Sequence, residues 1–559
     1  MNDIRRSILW VVFGFSMVLL WDQWQVYNGR PATFFTSPSQ QVAKAPATPA
    51  SAAPGVPAAS TASTAATPPG AAAPTAAVPA ARSERITVTT DVLRMSFDTQ
   101  GGSLVRTELL KVAADSVAHD KTPSPFVLLD QTPERVYVAQ TGLIGGDFPN
   151  HTTVMAVSGD RELKPGADEL VVRFESPEHN GVKLVKTYTV KRGAYDIAVR
   201  HEVINTGSAP VAPQLYLQLM RGGYPAASSS IMNPTATFTG PAVYTPEQKF
   251  QKVETADIDK GKIEFQKEST GGYVAMVQHY FASAWLLPDG IKRDNFVRKV
   301  DDRYSVGVIT PLETVAPGTR KSVDATLYAG PQVEKTLERI YPGLDLVKDY
   351  GMFTILAKPL YWLLDKIHSV VGNWGWAIMG LVLLIKIAFY WLQAKGYQSM
   401  AKMKAINPRV MQLRERYKDN PQQMQQEMMR IYREEKVNPI GGCLPILVQI
   451  PVFIALYWVL LTSVEMRNAP WIGWIRDLST PDPYFILPVV MTLTTLLQTA
   501  LNPAPPDPMQ AKLMWFMPLI FSVMFFFFPA GLVLYWITNN VLSIAQQWLI
   551  NTRMGVPPQ

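Results

Sequence analysis

Apolar positions along this chain fall into three regimes. Between residues 8 and 24, and in several stretches after residue 374, they run almost unbroken. Between about 84 and 330 they alternate with polar positions in short bursts. Between 394 and 437 they recur every three or four residues among charges. Each regime predicts a different element: a helix crossing lipid needs about 20 apolar residues, a half-buried strand alternates with period two, and an amphipathic helix repeats near 3.6.

Taken in order, the pattern predicts an uncleaved membrane anchor over 1–25. Bulky Trp21-Asp22-Gln23-Trp24 stands where a signal peptide would carry small residues before its cleavage site. An Ala/Pro-rich stretch over 26–83 holds too little apolar surface to repay ordering and predicts a disordered tether. Residues 84–342 predict an all-β domain. Ile86–Thr90, Val171–Glu175, Leu184–Val190 and Ile197–Val203 are β-branched runs, with turns at Gly101-Gly102, Gly193, Gly207 and Pro317-Gly318. That much strand with little helix predicts a large sandwich. Residues 343–373 predict an amphipathic helix lying in the membrane interface, with Pro359 as a kink or break; a domain-capping helix is the other reading.

The remaining stretches predict a second span at 374–393, a helical hairpin at 394–437, a third span at 438–464 and an external loop at 465–483. A fourth span at 484–501, a connecting loop at 502–511, a fifth span at 512–528, a sixth at 531–550 and a short tail at 551–559 complete the chain. Within the hairpin, Asn420-Pro421 predicts a helix start, with Asn as cap and Pro in the first turn. Its Lys and Arg exceed its acids, which predicts a cytoplasmic location by the positive-inside rule and puts both termini in the cytoplasm. Met400, Met403, Met424 and Met428 form a soft apolar seam. It suits varied apolar partners, and equally the packing of two helices together.

Composition changes this picture little. The net charge of +7 follows from membrane topology without invoking nucleic acid, and the lone Cys443 rules out an internal disulfide. The six histidines are scattered without metal-ligand spacing, and no phosphate loop or nucleophile elbow is present. Nothing calls for a cofactor, a metal or catalytic residues.

The candidate chemistry lies inside the spans. Lys386 is a charge within an apolar helix, where a lysine costs about 2.5–3.5 kcal/mol. Either it is functional or it snorkels to the interface. No acid in the five predicted spans after residue 373 can pair with it. Thr494, Thr495 and Gln498 lie within a turn of one another. Asn539, Asn540, Ser543 and Gln547 share one helical face with Trp536. Hydrogen-bonded packing explains such residues at about 0.6 kcal/mol per contact; together with an uncompensated lysine, they predict a hydrated groove.

Several motifs resemble the YidC family of membrane protein insertases. Lys436–Tyr457 (KVNPIGGCLPILVQIPVFIALY) is similar to that family's third span. Asn373–Trp376, Ser399–Met403, Asp507–Gln510 and Phe528–Tyr535 resemble other parts of its core, and Gly271–Phe281 resembles the late part of its large periplasmic domain. The resemblance covers nearly everything but the Ala/Pro tether. It implies a polytopic α-helical membrane protein of six spans, five of them an insertase core, with a periplasmic all-β supersandwich. It also implies a groove open to cytoplasm and lipid. The family's usual groove arginine falls on Lys386, with Gln498, Asn539, Asn540 and Ser543 as polar lining and Trp536 as an aromatic contact to substrate. Ile450, Phe453 and Phe528 would form an apolar slide. Met400, Lys402, Met403, Lys404, Arg414 and Arg416 on the hairpin would meet clients or the ribosome. Nascent inner-membrane proteins, the Sec translocon, the signal recognition machinery and lipid are the implied partners. Two departures stand out: lysine offers a point charge where arginine offers a fork, and the tail carries a single basic residue. A transporter for an anionic solute and a membrane-anchored glycan-binding or envelope-assembly protein are the rival readings.

Overall fold

A computed structural model describes residues 83–114, 124–222, 237–417, 420–435, 444–502 and 508–553. The predicted anchor, nearly all of the tether, the hairpin-to-span connection at 436–443 and the end of the tail lie outside these residues.

The alternating stretch folds into two nine-stranded antiparallel sheets. The first runs, edge to edge, through Arg85–Thr89, Leu93–Asp98, Ser103–Ala113, Pro125–Gln131, Val136–Ile144, Gln214–Gly222, Arg303–Pro311, Arg293–Val300 and Glu268–Ser269. The second runs through Lys249–Lys252, Gly240–Thr245, Tyr273–Gln278, Phe281–Leu286, Arg320–Pro331, Asp196–Asn205, Val182–Lys191, Glu169–Glu175 and Ala156–Gly159. Strand alternation sends every second side chain between the sheets. There Phe97, Phe174, Leu184 and Val199 are buried, and Trp285 Nε1 donates to the Gln218 carbonyl at 3.1 Å. The predicted sandwich is thus present, with the predicted strands inside it.

Ten helices are described. α1 (Thr255–Asp259) and α2 (Glu334–Ile340) belong to the β domain. α3 (Thr354–Val371), α4 (Trp374–Ala388), α5 (Tyr390–Arg416), α6 (Pro421–Glu434), α7 (Leu444–Thr462), α8 (Ile486–Leu501), α9 (Pro508–Phe525) and α10 (Ala530–Arg553) follow. Asn373 caps α4, its side chain accepting from the Trp376 N–H, and Asn420 caps α6 with Pro421 in the first turn. α3 begins eleven residues later than the amphipathic pattern suggests. Two short 3-10 turns, Leu344–Val347 and Gly351–Phe353, precede it. The helix then runs unbroken through Pro359, at the loss of the one intrahelical bond that its missing N–H would make. Ile378, Leu381, Leu456, Val459 and Val533 form the centre of the helical core, with Tyr350 and Leu364 packed in from α3 and its approach.

Among the described residues no single helix is long and apolar enough to cross a membrane. α4 and the first part of α5 meet that test only together, bent by 68°. The straight span expected over 374–393 is therefore broken at Phe389, and the boundary placed at 393/394 falls inside α5. Shorter apolar stretches occupy Gln449–Thr462, Ile486–Leu501 and Lys512–Phe525.

The β domain and the helical core touch through charged and aromatic groups. Arg467, after α7, donates to the carbonyls of Ala113 (2.9 Å) and Ala114 and lies over the rings of Phe126, Tyr280 and Phe281. His279 Nε2 meets the Leu461 carbonyl at 2.9 Å. Lys348, fully buried, lies 3.7 Å from Glu465 and over the Tyr361 ring, whose hydroxyl donates to Glu465 at 2.6 Å.

Candidate functional site

Lys386 emerges from α4 just before the bend and is 7% exposed. Its ammonium donates to Ser543 Oγ on α10 at 2.7 Å and to Gln393 Oε1 on α5 at 3.4 Å. Ser543 in turn donates to the Asn539 carbonyl at 2.7 Å. One turn away, Gln449 on α7 donates to Asn539 Oδ1 at 3.0 Å. The lysine therefore has neutral acceptors and no carboxylate among the described residues. It does not snorkel: its charge is held inward, between α4, α5 and α10.

The face predicted on the last helix divides in two. Asn539 and Ser543, four residues apart, serve the Lys386 cluster. Asn540 is rotated about 100° from Asn539 and donates to Thr494 Oγ1 (3.2 Å) and Thr495 Oγ1 (2.9 Å) on α8. Gln547, seven residues on, donates to the Leu501 carbonyl and to Asn502 Oδ1. Asn540 and Gln547 thus fasten α10 to α8, and packing accounts for them. Gln498 is half-exposed and makes no hydrogen bond to this cluster among the described residues.

Trp536 stands two turns before Ser543 on α10. It meets Phe453 edge-on at 4.6 Å between ring centroids and Phe525 at 4.8 Å. Phe528 packs on Phe525 and Tyr457. These rings line one wall of a cavity of about 820 Å³ among α7, α8, α9 and α10, with Met491, Met514, Met517 and Met524 on other sides. Phe453, Phe528 and Trp536 line this one cavity. Ile450 does not line the cavity and is 45% exposed. The methionines were not singled out from sequence. They are unbranched and adaptable, which suits a wall that must accept different apolar shapes.

On the hairpin, Lys402 and Arg416 are exposed, and Met403 and Arg414 half-buried; the side chains of Met400 and Lys404 lie outside the described residues. Ile406 and Val410 are buried, so packing explains that part of the seam, while Met411 and Met429 are exposed. Gln393, 5% exposed, is the group that sequence reasoning missed. It lies seven residues after Lys386, about 10 Å along a straight helix, and only the bend at Phe389 brings it back.

Residues 85–363 match the family described as the YidC periplasmic domain, and residues 366–556 match the one described as the 60Kd inner membrane protein. The membrane protein insertase YidC of Cupriavidus necator is 54% identical over 556 residues, covering 99% of this chain and 98% of the relative. That of Ralstonia nicotianae is 53% identical over 555 residues, again covering 99% and 98%. A crystal structure of an active YidC insertase with its first transmembrane domain resolved aligns at 19% identity over 83% of this chain and 92% of the other, with a TM-score of 0.38.

Proposed function

The chain belongs to the YidC family of membrane protein insertases, an inner-membrane family with a periplasmic β-sandwich domain and inner-membrane proteins as substrates, and from that premise we propose how its own residues perform insertion. Lys386 receives an acidic residue of the client's polar tail. The apolar cavity beside Trp536 receives the client's hydrophobic segment, which then passes into lipid. Burial of that segment, at about 25 cal/mol per Å², drives the step without ATP.

The observation carrying this reading is that the Lys386 ammonium is buried against Ser543 and Gln393 with neutral acceptors only. Inside a low-dielectric site such a charge attracts a carboxylate more strongly than it would in water. The site calls for a positive charge and makes no use of a guanidinium fork, so Lys386→Arg is expected to be tolerated and Lys386→Glu is not.

The proposal extends to topology and partners. Six spans place both termini in the cytoplasm. The basic hairpin, through Lys402, Met403, Arg414 and Arg416, meets emerging clients, the ribosome or the signal recognition machinery, and the Sec translocon supplies larger clients. A transporter reading gives the hairpin no role, and the whole-chain similarity to insertases does not favour it or the glycan-binding reading.

The test places photo-crosslinking probes at Trp536 and Phe453 during synthesis of a single-span client with an acidic tail. Adducts at both positions are expected, together with loss of insertion in Lys386→Glu. Absence of adducts, with full insertion by Lys386→Ala, would reject the mechanism.

A further inference from the structure

The periplasmic domain carries a polar cavity of about 640 Å³ that the insertion mechanism does not use. Tyr137 points between the sheets, its hydroxyl bonding the Met276 carbonyl. Strand alternation therefore turns Val138 and Gln140 to the outer face of the first sheet, where the cavity lies. Val105, Val138 and Met220 pack together as an apolar patch in its lining.

Two buried polar groups in the lining are unpartnered. Ser103 is 3% exposed and its Oγ has no hydrogen-bond partner. His151 is 4% exposed and its Nε2 has none either. The Tyr216 hydroxyl accepts the His151 backbone N–H at 3.1 Å and lies 2.5 Å from Nδ1. In either tautomer of the ring, Nε2 is left without a partner. The backbone is shaped for this arrangement. Gly101 has φ +74°, and a Cβ there would lie 2.4 Å from the His151 carbonyl oxygen, so only glycine lets the histidine loop settle this close. A buried polar atom without a partner costs about 1–3 kcal/mol and is a place where a ligand atom gains.

The charged lining is also unbalanced. Arg303 makes no ion pair among the described residues, and Arg85 bonds only to Gln131, through its carbonyl and Oε1. The one acid present, Asp98, already accepts from the Gln100 N–H at 2.8 Å. The cavity is thus donor-rich, with uncompensated positive charge and an apolar patch. We propose that it binds a sugar acid: a saccharide ring with one carboxylate. The carboxylate faces Arg85 and Arg303, and the ring oxygens and hydroxyls face His151 and Ser103, over a floor backed by the buried Val105, Val138 and Met220. The volume falls within the range of small-molecule sites, about 300–1,000 Å³. The site belongs to the periplasmic face, within reach of envelope saccharides, and is separate from client insertion.

The test uses the full-length protein in lipid nanodiscs and saturation-transfer NMR with three probes: glucuronate, glucose and acetate. Glucuronate is expected to bind at millimolar concentration, about tenfold more tightly than glucose, with acetate undetected. Arg303→Gln and the surface variant Arg85→Gln should each weaken glucuronate binding by about tenfold while client insertion is unchanged. No transfer to any probe, equal binding of glucose and glucuronate, or equal binding of acetate overturns the proposal. So does undiminished binding in both variants, or a short peptide carboxylate binding more tightly than glucuronate.

Discussion

Replacing Gln393 by Glu tests the groove electrostatics without touching Lys386. The substitution puts a carboxylate where a neutral oxygen now lies 3.4 Å from the ammonium. At an effective dielectric near 20, that pair is worth about 5 kcal/mol before desolvation. Burial of the new charge offsets a large part of this. If about half survives, the internal acid outcompetes a client carboxylate by about 2–3 kcal/mol, or roughly 30- to 150-fold. The assay is insertion of a single-span client into proteoliposomes, scored by protease protection of its tail, with acidic and neutral versions of that tail. Gln393→Glu is expected to slow the acidic version severely and to leave the neutral one near the wild-type rate. Gln393→Met, which removes the acceptor without adding charge, should insert both. Wild-type insertion of the acidic client by Gln393→Glu, with the variant folded and at normal level, would refute the role given to Lys386.

Three further outcomes follow from the periplasmic domain. Lys186 is buried among strands, donating to the carbonyls of Gly101 (2.6 Å) and Thr141 (2.7 Å), and burial lowers its pKa from 10.5 to about 7. The unfolded chain therefore binds the extra proton between those values, so the domain's stability rises with pH from about 7 to 10.5, by up to about 5 kcal/mol. Burial likewise lowers His201 to about 3 and His151 to about 4, so stability falls as pH drops from 6.5 through those values. In urea titrations read by proteolysis, Lys186→Met should flatten the alkaline rise and keep the acid fall; an unchanged alkaline slope would refute the assignment. Arg467→Ala should loosen the domain from the core. It removes two hydrogen bonds and three ring contacts, about 2 kcal/mol or more, and faster hydrogen exchange at 113–114 and 461–467 is the readout. Deletion of residues 84–330 removes the same partners but spares Glu334, Lys348 and Tyr350, and is expected to leave a working core in smaller amount; complete loss of insertion would show that the domain itself is required.

What the sequence disclosed, and what it hid, divides by range of interaction. The strands were legible because alternation is local and one face of each sheet is buried. The cap at Asn420 was legible because it acts within three residues. The bend at Phe389 was not. Neither Pro nor Gly lies between Lys386 and Gln393, and the break is bridged by a side-chain bond that only the folded helix reveals. The division of Asn539 from Asn540 was hidden for the same reason. Helical spacing groups residues by face, but adjacent positions differ by about 100°, and the neighbouring helices decide which of them is satisfied. The cavity beside Trp536 was half legible. Its aromatics could be named, whereas the methionines of α9 come to it from a helix with no polar face to orient it.

One consequence couples the charge to the cavity. Trp536 and Ser543 stand seven residues apart on α10, so the apolar wall and the lysine cluster are separated by about 10 Å along that helix. A client that uses both at once must carry its acid at a matching distance from its hydrophobic segment. That distance is about three residues of extended chain or seven of helix. Lys386 should therefore matter most for clients whose acid lies about three to seven residues before the span, and little for those whose acid is much farther out. A client series with one aspartate moved stepwise along an otherwise neutral tail measures this, with insertion by Lys386→Ala compared with wild type at each step. The ratio should pass through a minimum inside that window. A ratio that stays flat along the tail would mean that Lys386 acts as a diffuse attraction, and that the lysine and the cavity do not grip the client together.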